Sequence, residues 1–177
     1  MLWCNWRSEV DDLAPCYDAA TWSCDFARNG YRLATEAEWE KSARGGHELG
    51  GGVSNPLPER EYPWGDASPD CQHANYAECV LGSAPVGSYP LGQSPYGLDD
   101  VSGNAVEWCN DRYEYDYYSV APATDPRGPA LSSTNKRILR GGSWDVPFGH
   151  LASCSVRLHD RPSSTTQAVG FRVVRTP

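Results

Sequence analysis

The chain has 177 residues, enough for one domain with its own core. A formal charge of −8 with no run of Lys or Arg excludes binding along a nucleic-acid backbone, which needs a basic face. No apolar segment approaches the roughly 20 residues that cross a bilayer as a helix. The 14 Pro, 17 Gly, 7 Trp and 10 Tyr point instead to a loop-rich fold pinned by large aromatics.

Residues 1 to 12 place Leu2, Trp3 and Trp6 on one face and read as the end of a helix that started upstream. Asp18 to Gly30 is a surface excursion, and its Asn29-Gly30 turn leads into a short strand, Tyr31-Arg32-Leu33. Thr35 followed by Glu38 fits a capping box, so a helix runs from there to Arg44 and stops at Gly45-Gly46. Glu36 and Glu38 in its first turn and Lys41 and Arg44 in its last complement the helix dipole, which makes these acids structural. Residues 45 to 61 read as a mobile loop, Tyr62-Pro63-Trp64-Gly65-Asp66 as a fixed aromatic turn, and Pro85 to Tyr89 as a strand. The tyrosines between Tyr113 and Tyr118 suit a solvated turn or a binding surface equally. Ile138 to Arg140 reads as a strand entering a Gly141-Gly142 turn, and Val169 to Arg175 as one closing strand. The long segment 145 to 168 between them has no clear period, and a connection of that length is usually functional.

The stretch from Tyr96 to Asp111 holds Asp99, Asp100, Glu107 and Asp111 with no lasting hydrophobic period, the composition of an ordered loop built around something. Of the seven cysteines, Cys16/Cys24 and Cys71/Cys79 are spaced so that each pair can close a short disulfide loop. That spacing points to an oxidising compartment, secreted, periplasmic or cell-surface, reached by a leader outside the residues given. Zinc fits neither pair, because the tight C-x₂₋₄-C form is absent and the four His are scattered.

Taken in order, Tyr31-Arg32-Leu33-Ala34-Thr35-Glu36-Ala37-Glu38-Trp39-Glu40, Tyr62-Pro63-Trp64-Gly65, Pro85-Val86-Gly87, Tyr96-Gly97-Leu98, Ser102-Gly103-Asn104-Ala105-Val106-Glu107-Trp108, Leu139-Arg140-Gly141-Gly142-Ser143-Trp144 and Gly170-Phe171-Arg172 resemble the formylglycine-generating enzyme, or sulfatase-modifying factor, family. The resemblance covers roughly residues 1 to 175 and implies one domain of α+β, C-type lectin-like fold, loop-rich, lacking the family's N-terminal part and holding structural calcium. By position, Asp100 and Glu107 would supply carboxylate oxygens and Gly103 and Ala105 backbone carbonyls, an alternation that suits the six to eight oxygens calcium takes. A second set would fall on Asn75, the Tyr76 carbonyl, Glu78 and the Val80 carbonyl. The family's copper-dependent oxidation of a substrate cysteine uses two cysteines shortly after the Gly-Gly-Ser-aromatic turn. Here no cysteine follows Trp144 until Cys154, which falls on a structural position, so copper is not expected. His150 and His159 fall where metal binding is conceivable by analogy with iron-dependent relatives, but those relatives need a further helical domain.

Two classes of function follow. The first is a calcium-stabilised, non-catalytic ligand-binding domain with a protein or other extracellular ligand. In its sharper form it is similar to the variable proteins of diversity-generating retroelements, which diversify residues after the same turn through adenine-rich codons that cannot yield Lys, Glu, Gln, Met or Trp. None of those five types occurs from Asp145 to Asp160. Trp144, Asp145, Val146, Phe148, His150, Leu158, His159 and Asp160 would then face the ligand. The second is an enzyme of the same family, formylglycine-generating or a related oxidoreductase, acting on a protein or peptide; no acid/base or nucleophile set stands out for it.

Overall fold

The structure is a computed structural model that describes residues 1–77, 79–146 and 152–176. Among the described residues two helices, α1 (Leu2–Val10) and α2 (Glu36–Arg44), accompany eight short strands, and most of the remaining backbone is turn and loop. The strands are β1 (Tyr31–Leu33), β2 (Glu48–Leu49), β3 (Val53–Ser54), β4 (Val106–Arg112), β5 (Arg137–Arg140), β6 (Leu158–Asp160), β7 (Val169–Gly170) and β8 (Val173–Arg175).

Helix α2 forms where its local chemistry demands it. Thr35 Oγ1 accepts from the Glu38 amide at 3.1 Å and Glu38 Oε2 accepts from the Thr35 amide at 2.8 Å, a complete capping box. Gly45 ends the helix at φ 94, a conformation only glycine adopts without steric cost. The inward face of α2 carries Trp39 and Ala43 onto Val101, Cys109, Ile138 and Cys154, and this cluster is the main core. A smaller cluster of Cys4, Tyr17 and Leu33 seats α1.

The central sheet has the order β6-β5-β4-β7, with β7 parallel to β4 and the other pairs antiparallel. A separate pair, β1 with β8, joins Tyr31 to Arg175 and brings the two ends of the fold together. Fully buried Arg140 locks sheet to helix: its guanidinium lies 5.0 Å from the Trp39 ring, ion-pairs with Glu40, and donates to the Val156 carbonyl at 2.5 Å and the Cys154 carbonyl at 2.6 Å.

Several expectations change. The C-terminal half of the Tyr96–Asp111 stretch is not loop but β4, the longest strand, at the middle of its sheet. It is buried on both faces, so it shows no alternation, and its polar residues are satisfied by distant partners. Val169 to Arg175 is not one strand. It splits at Phe171-Arg172, giving β7 to one sheet and β8 to another. Pro85 to Tyr89 is a turn with Gly87 at φ 77, closed by the Ser88 amide on the Pro85 carbonyl. Residues 48–54 of the expected loop form a hairpin, β2 to β3.

Cys71 and Cys79 form a disulfide, whereas Cys16 and Cys24 are free thiols. Tyr17 pairs with Cys24 across an antiparallel bridge, which puts Cys24 on the face of Tyr17 and Cys16 on the other. The Cys16 thiol is turned to the Gly30 carbonyl, 3.2 Å away.

Candidate functional site

The segment expected to face a ligand begins where β5 runs into Gly141-Gly142, both at positive φ. Asn104 organises this region. Held at φ 62, a left-handed conformation that asparagine tolerates better than most residues, it accepts from the Trp144 amide on its carbonyl at 3.0 Å. Its side chain accepts from the Ala84 amide at 2.9 Å and from Asn75 Nδ2 at 3.3 Å, and donates to the Ala84 carbonyl at 3.2 Å. Its amide donates to the Asn75 carbonyl at 2.8 Å. Three loops, around residues 75, 84 and 144, therefore meet on one side chain and its backbone. Gly103 is required beside it, because a Cβ there would collide with the Asn75 carbonyl.

From this hub the chain leaves through Trp144, half-buried, and Asp145, exposed, to Val146, whose carbonyl accepts from the Ala77 amide at 3.0 Å. Ser143 Oγ donates to Asp145 Oδ1 at 2.5 Å. Trp144 Nε1 is buried without a hydrogen-bond partner. Phe148 and His150 lie outside the described residues, as does Glu78. Leu158, His159 and Asp160 do not join Trp144. They form β6, the sheet-edge strand that runs alongside β5 with Leu158 opposite Leu139, His159 opposite Ile138 and Asp160 opposite Arg137, so that Asp160 lies farthest from the glycine turn. There the His159 ring packs against Tyr113 at a tilt of 47°, with ring centroids 3.8 Å apart.

The residues expected to bind calcium fall into two environments. Glu107 Oε2 accepts from Trp39 Nε1 at 2.8 Å and Arg172 Nε at 2.6 Å, and Oε1 accepts from Arg172 Nη2 at 2.7 Å. Three of about four lone-pair sites are taken, and a guanidinium sits where a second cation would be repelled. Arg172 Nη2 also reaches the Asp99 carbonyl at 3.1 Å. Asp100, at φ 52, accepts from the Gly87 amide at 2.7 Å. In this arrangement the Asp100, Gly103, Ala105 and Glu107 set is short of the Glu107 carboxylate, which Arg172 and Trp39 already hold. Asn75 differs. It is 1% exposed, both its Nδ2 contacts, Gly82 O at 2.9 Å and Asn104 Oδ1, are acceptors, and so its Oδ1 is fixed, buried and without a hydrogen-bond partner. A buried, unpaired amide oxygen is a donor that calcium accepts, and the second set fits to that extent.

The thiols are unreactive in character. Burial pushes Cys154 up to about 12 and Cys109 well above the ordinary thiol range. Asp111 is the most perturbed acid, raised to about 7 by burial and then by Glu36 and Glu38, yet it is 2% exposed and its Oδ2 caps α2 through the Glu36 amide at 2.9 Å. It lies in the core rather than in a cleft.

Asn104 lies between Gly103 and Ala105, both expected to bind calcium, and is not itself among the expected site residues. The available signal was an asparagine after glycine in a stretch without period, the residue type that accepts a left-handed backbone.

The family described as sulfatase-modifying factor enzyme 1-like domain matches residues 1–177. The chain is similar to the formylglycine-generating enzyme of Streptomyces coelicolor, at 38% identity over 162 residues covering 81% of this chain and 46% of that protein. It is similar to the mouse (Mus musculus) enzyme of the same name at 33% identity, covering 94% and 44%. Serine/threonine-protein kinase pkn1 of Chlamydia caviae is 36% identical, covering 82% of this chain and 21% of its own length. The chain thus spans about half or less of the curated relatives it matches. Among solved structures, CarF superposes with a TM-score of 0.71 at 26% identity over 98% of this chain and 62% of its own. Treponema denticola variable protein 1 superposes with a TM-score of 0.72 at 24% identity over 98% and 66%, a likeness of fold. Together with the order of motifs from Tyr31 to Arg172, these matches establish that the chain belongs to the sulfatase-modifying factor, or formylglycine-generating enzyme, family.

Proposed function

We propose that the chain is a calcium-stabilised, non-catalytic ligand-binding domain that presents the segment after Trp144 from a scaffold anchored on Asn104. The observation that carries this reading is the state of the thiols. Copper(I) chemistry on a substrate cysteine needs two soft, accessible thiolates. Residues 145 to 153 contain no cysteine, Cys71 and Cys79 are bonded to each other, and burial raises all five free thiols, Cys4, Cys16, Cys24, Cys109 and Cys154.

Calcium would enter at Asn75, whose Oδ1 has no hydrogen-bond partner, with the carbonyls of Tyr76 and Val80 and the carboxylate of Glu78 as the further donors expected from the sequence; bound there, the ion would add a rigid tie to the loops that carry Trp144. The ligand is a protein or other extracellular molecule, and the disulfide suits an oxidising compartment. Diversification of residues 145 to 160, as in retroelement variable proteins, is the sharper form of this reading. Among the described residues no helix is long and apolar enough to cross a membrane.

The second reading, an enzyme of the same family, draws its support from relatives named formylglycine-generating enzyme. One experiment separates the two: incubation with copper(I), oxygen and a peptide containing Cys-x-Pro-x-Arg, followed by mass spectrometry. An unaltered peptide mass is the expected result, and conversion of the cysteine to the aldehyde would install the enzymatic reading.

A further inference from the structure

A cavity away from Asn104 has the chemistry of a binding site. It encloses about 530 Å³, within the usual range for a small-molecule pocket, and opens between α1, the end of β4 and the start of β5. Its walls are aromatic: Trp3 and Phe171 meet edge to face with centroids 5.7 Å apart, and Trp22 and Trp108 complete the apolar lining. Trp3 and Phe171 are 42% and 47% exposed, large rings left open to solvent on an otherwise acidic protein.

The charged residues of the lining are all cationic. Arg112 on β4 and Arg137 on β5 are direct cross-strand partners, and Lys136 adjoins them. Like charges placed opposite each other across a ladder cost stability, and no Asp or Glu among the described residues lines the cavity to offset them. Asp160, opposite Arg137 on β6 but not part of the cavity lining, accepts from the Arg161 amide at 2.7 Å, and that bond, with Lys136 among the neighbours, holds its carboxyl below the usual carboxylate range. Arg137 spends one donor on the Asn110 carbonyl, Lys136 Nζ lies 3.3 Å from His159 Nδ1, and Arg112 is exposed with no ion pair or side-chain hydrogen bond among the described residues.

Backbone strain points to the same place. Trp22 sits at φ 58, a left-handed conformation that costs a bulky residue roughly 1–2 kcal/mol. A turn on Asp18 holds it there: the Trp22 amide donates to the Asp18 carbonyl at 2.8 Å, while Asp18 Oδ1 takes the Ala20 and Thr21 amides. Strain maintained by a dedicated turn, aiming an indole at a cavity, is a feature that function retains more readily than folding does.

We propose that this cavity binds a small organic anion with a flat aromatic body, the ring held among Trp3, Trp22, Trp108 and Phe171 and the anionic group held by Arg112 and Lys136. A guanidinium grips a carboxylate through two parallel N–H donors, and the lysine adds a point charge beside it. The site is separate from the segment after Trp144 and does not depend on its role.

Isothermal titration of the 177-residue protein with indole-3-acetate, and with uncharged indole-3-acetamide as the isosteric control, tests the proposal. Indole-3-acetate is expected to bind about tenfold or more tightly than the amide, a preference that shrinks in high salt. The paired substitution Arg112→Gln and Lys136→Gln should bring the two within about twofold, while Arg112→Lys should retain part of the preference. A thermal melt of each variant checks that these peripheral changes leave the fold intact. Equal affinity for the two probes, no saturable binding by the unmodified protein, or a preference untouched by the paired substitution would each overturn the proposal.

Discussion

The two ends of β4 bury a carboxylate each, and the chain treats them in opposite ways. At one end Glu107 meets the Arg172 guanidinium through two bonds and the Trp39 indole through a third, so its charge is matched. At the other, Asp111 holds the Glu36 amide with Oδ2, while Oδ1 is buried without a partner and Glu36 and Glu38 crowd it with like charge. The same strand thus carries one acid that behaves as a clasp between sheet and C-terminus and another that is better neutral. What separates them is the partner delivered by distant sequence, not the acid itself.

The largest effect should come from Glu107→Ala. Removing Glu107 leaves the buried Trp39 indole N–H without its acceptor and the Arg172 guanidinium, a quarter exposed, with only the Asp99 and Asp100 carbonyls, at a cost of about 3 kcal/mol by urea denaturation. A loss below about 1 kcal/mol would mean that Glu107 is no clasp and would erase the contrast with Asp111.

Asp111→Asn should act in the opposite direction, and only in part of the pH range. Its folded pKa, about 7, lies above the ordinary aspartate value, so the native state prefers the protonated acid. The stability this contributes is full below about pH 4 and is lost as pH rises through about 7. Asparagine keeps the cap on the Glu36 amide without the charge. The variant should therefore match the parent near pH 4 and exceed it at pH 8, by an amount on the order of a few kcal/mol, in parallel melts across pH. Curves that run parallel would make Asp111 an ordinary surface-like acid.

How much of this was legible in the sequence follows the same division. Helix α2 was readable to the residue at its N-terminus, because Thr35 and Glu38 are three positions apart and satisfy each other locally. Strand β4 was not, because Glu107 is answered 65 positions away and the Asp111 cap acts over 75. A buried polar strand whose partners are remote looks like loop. The candidate site divides likewise: Trp144 to Val146 follow a glycine turn plain in the sequence, whereas the pairing that lays Leu158 to Asp160 along β5 appears only with the sheet. The hub at Asn104 was hidden because one asparagine serves three loops that are distant in sequence.

A smaller effect sharpens the Asp111 end. Thr35→Ala removes the local cap on the Glu38 amide and should cost about 1 kcal/mol. Combined with Asp111→Asn, which spares the remote cap, the two changes should add; strong coupling would show that the caps compensate for one another.

The central claim, an ion-tied scaffold presenting a recognition segment, is tested most directly by the melting temperature with calcium and with chelator, in the unmodified chain, Asn75→Ala and Glu107→Gln. Calcium should raise the melting temperature of the unmodified chain and of Glu107→Gln by several degrees and leave Asn75→Ala unmoved. An unmodified chain that melts at the same temperature in both conditions would contradict it.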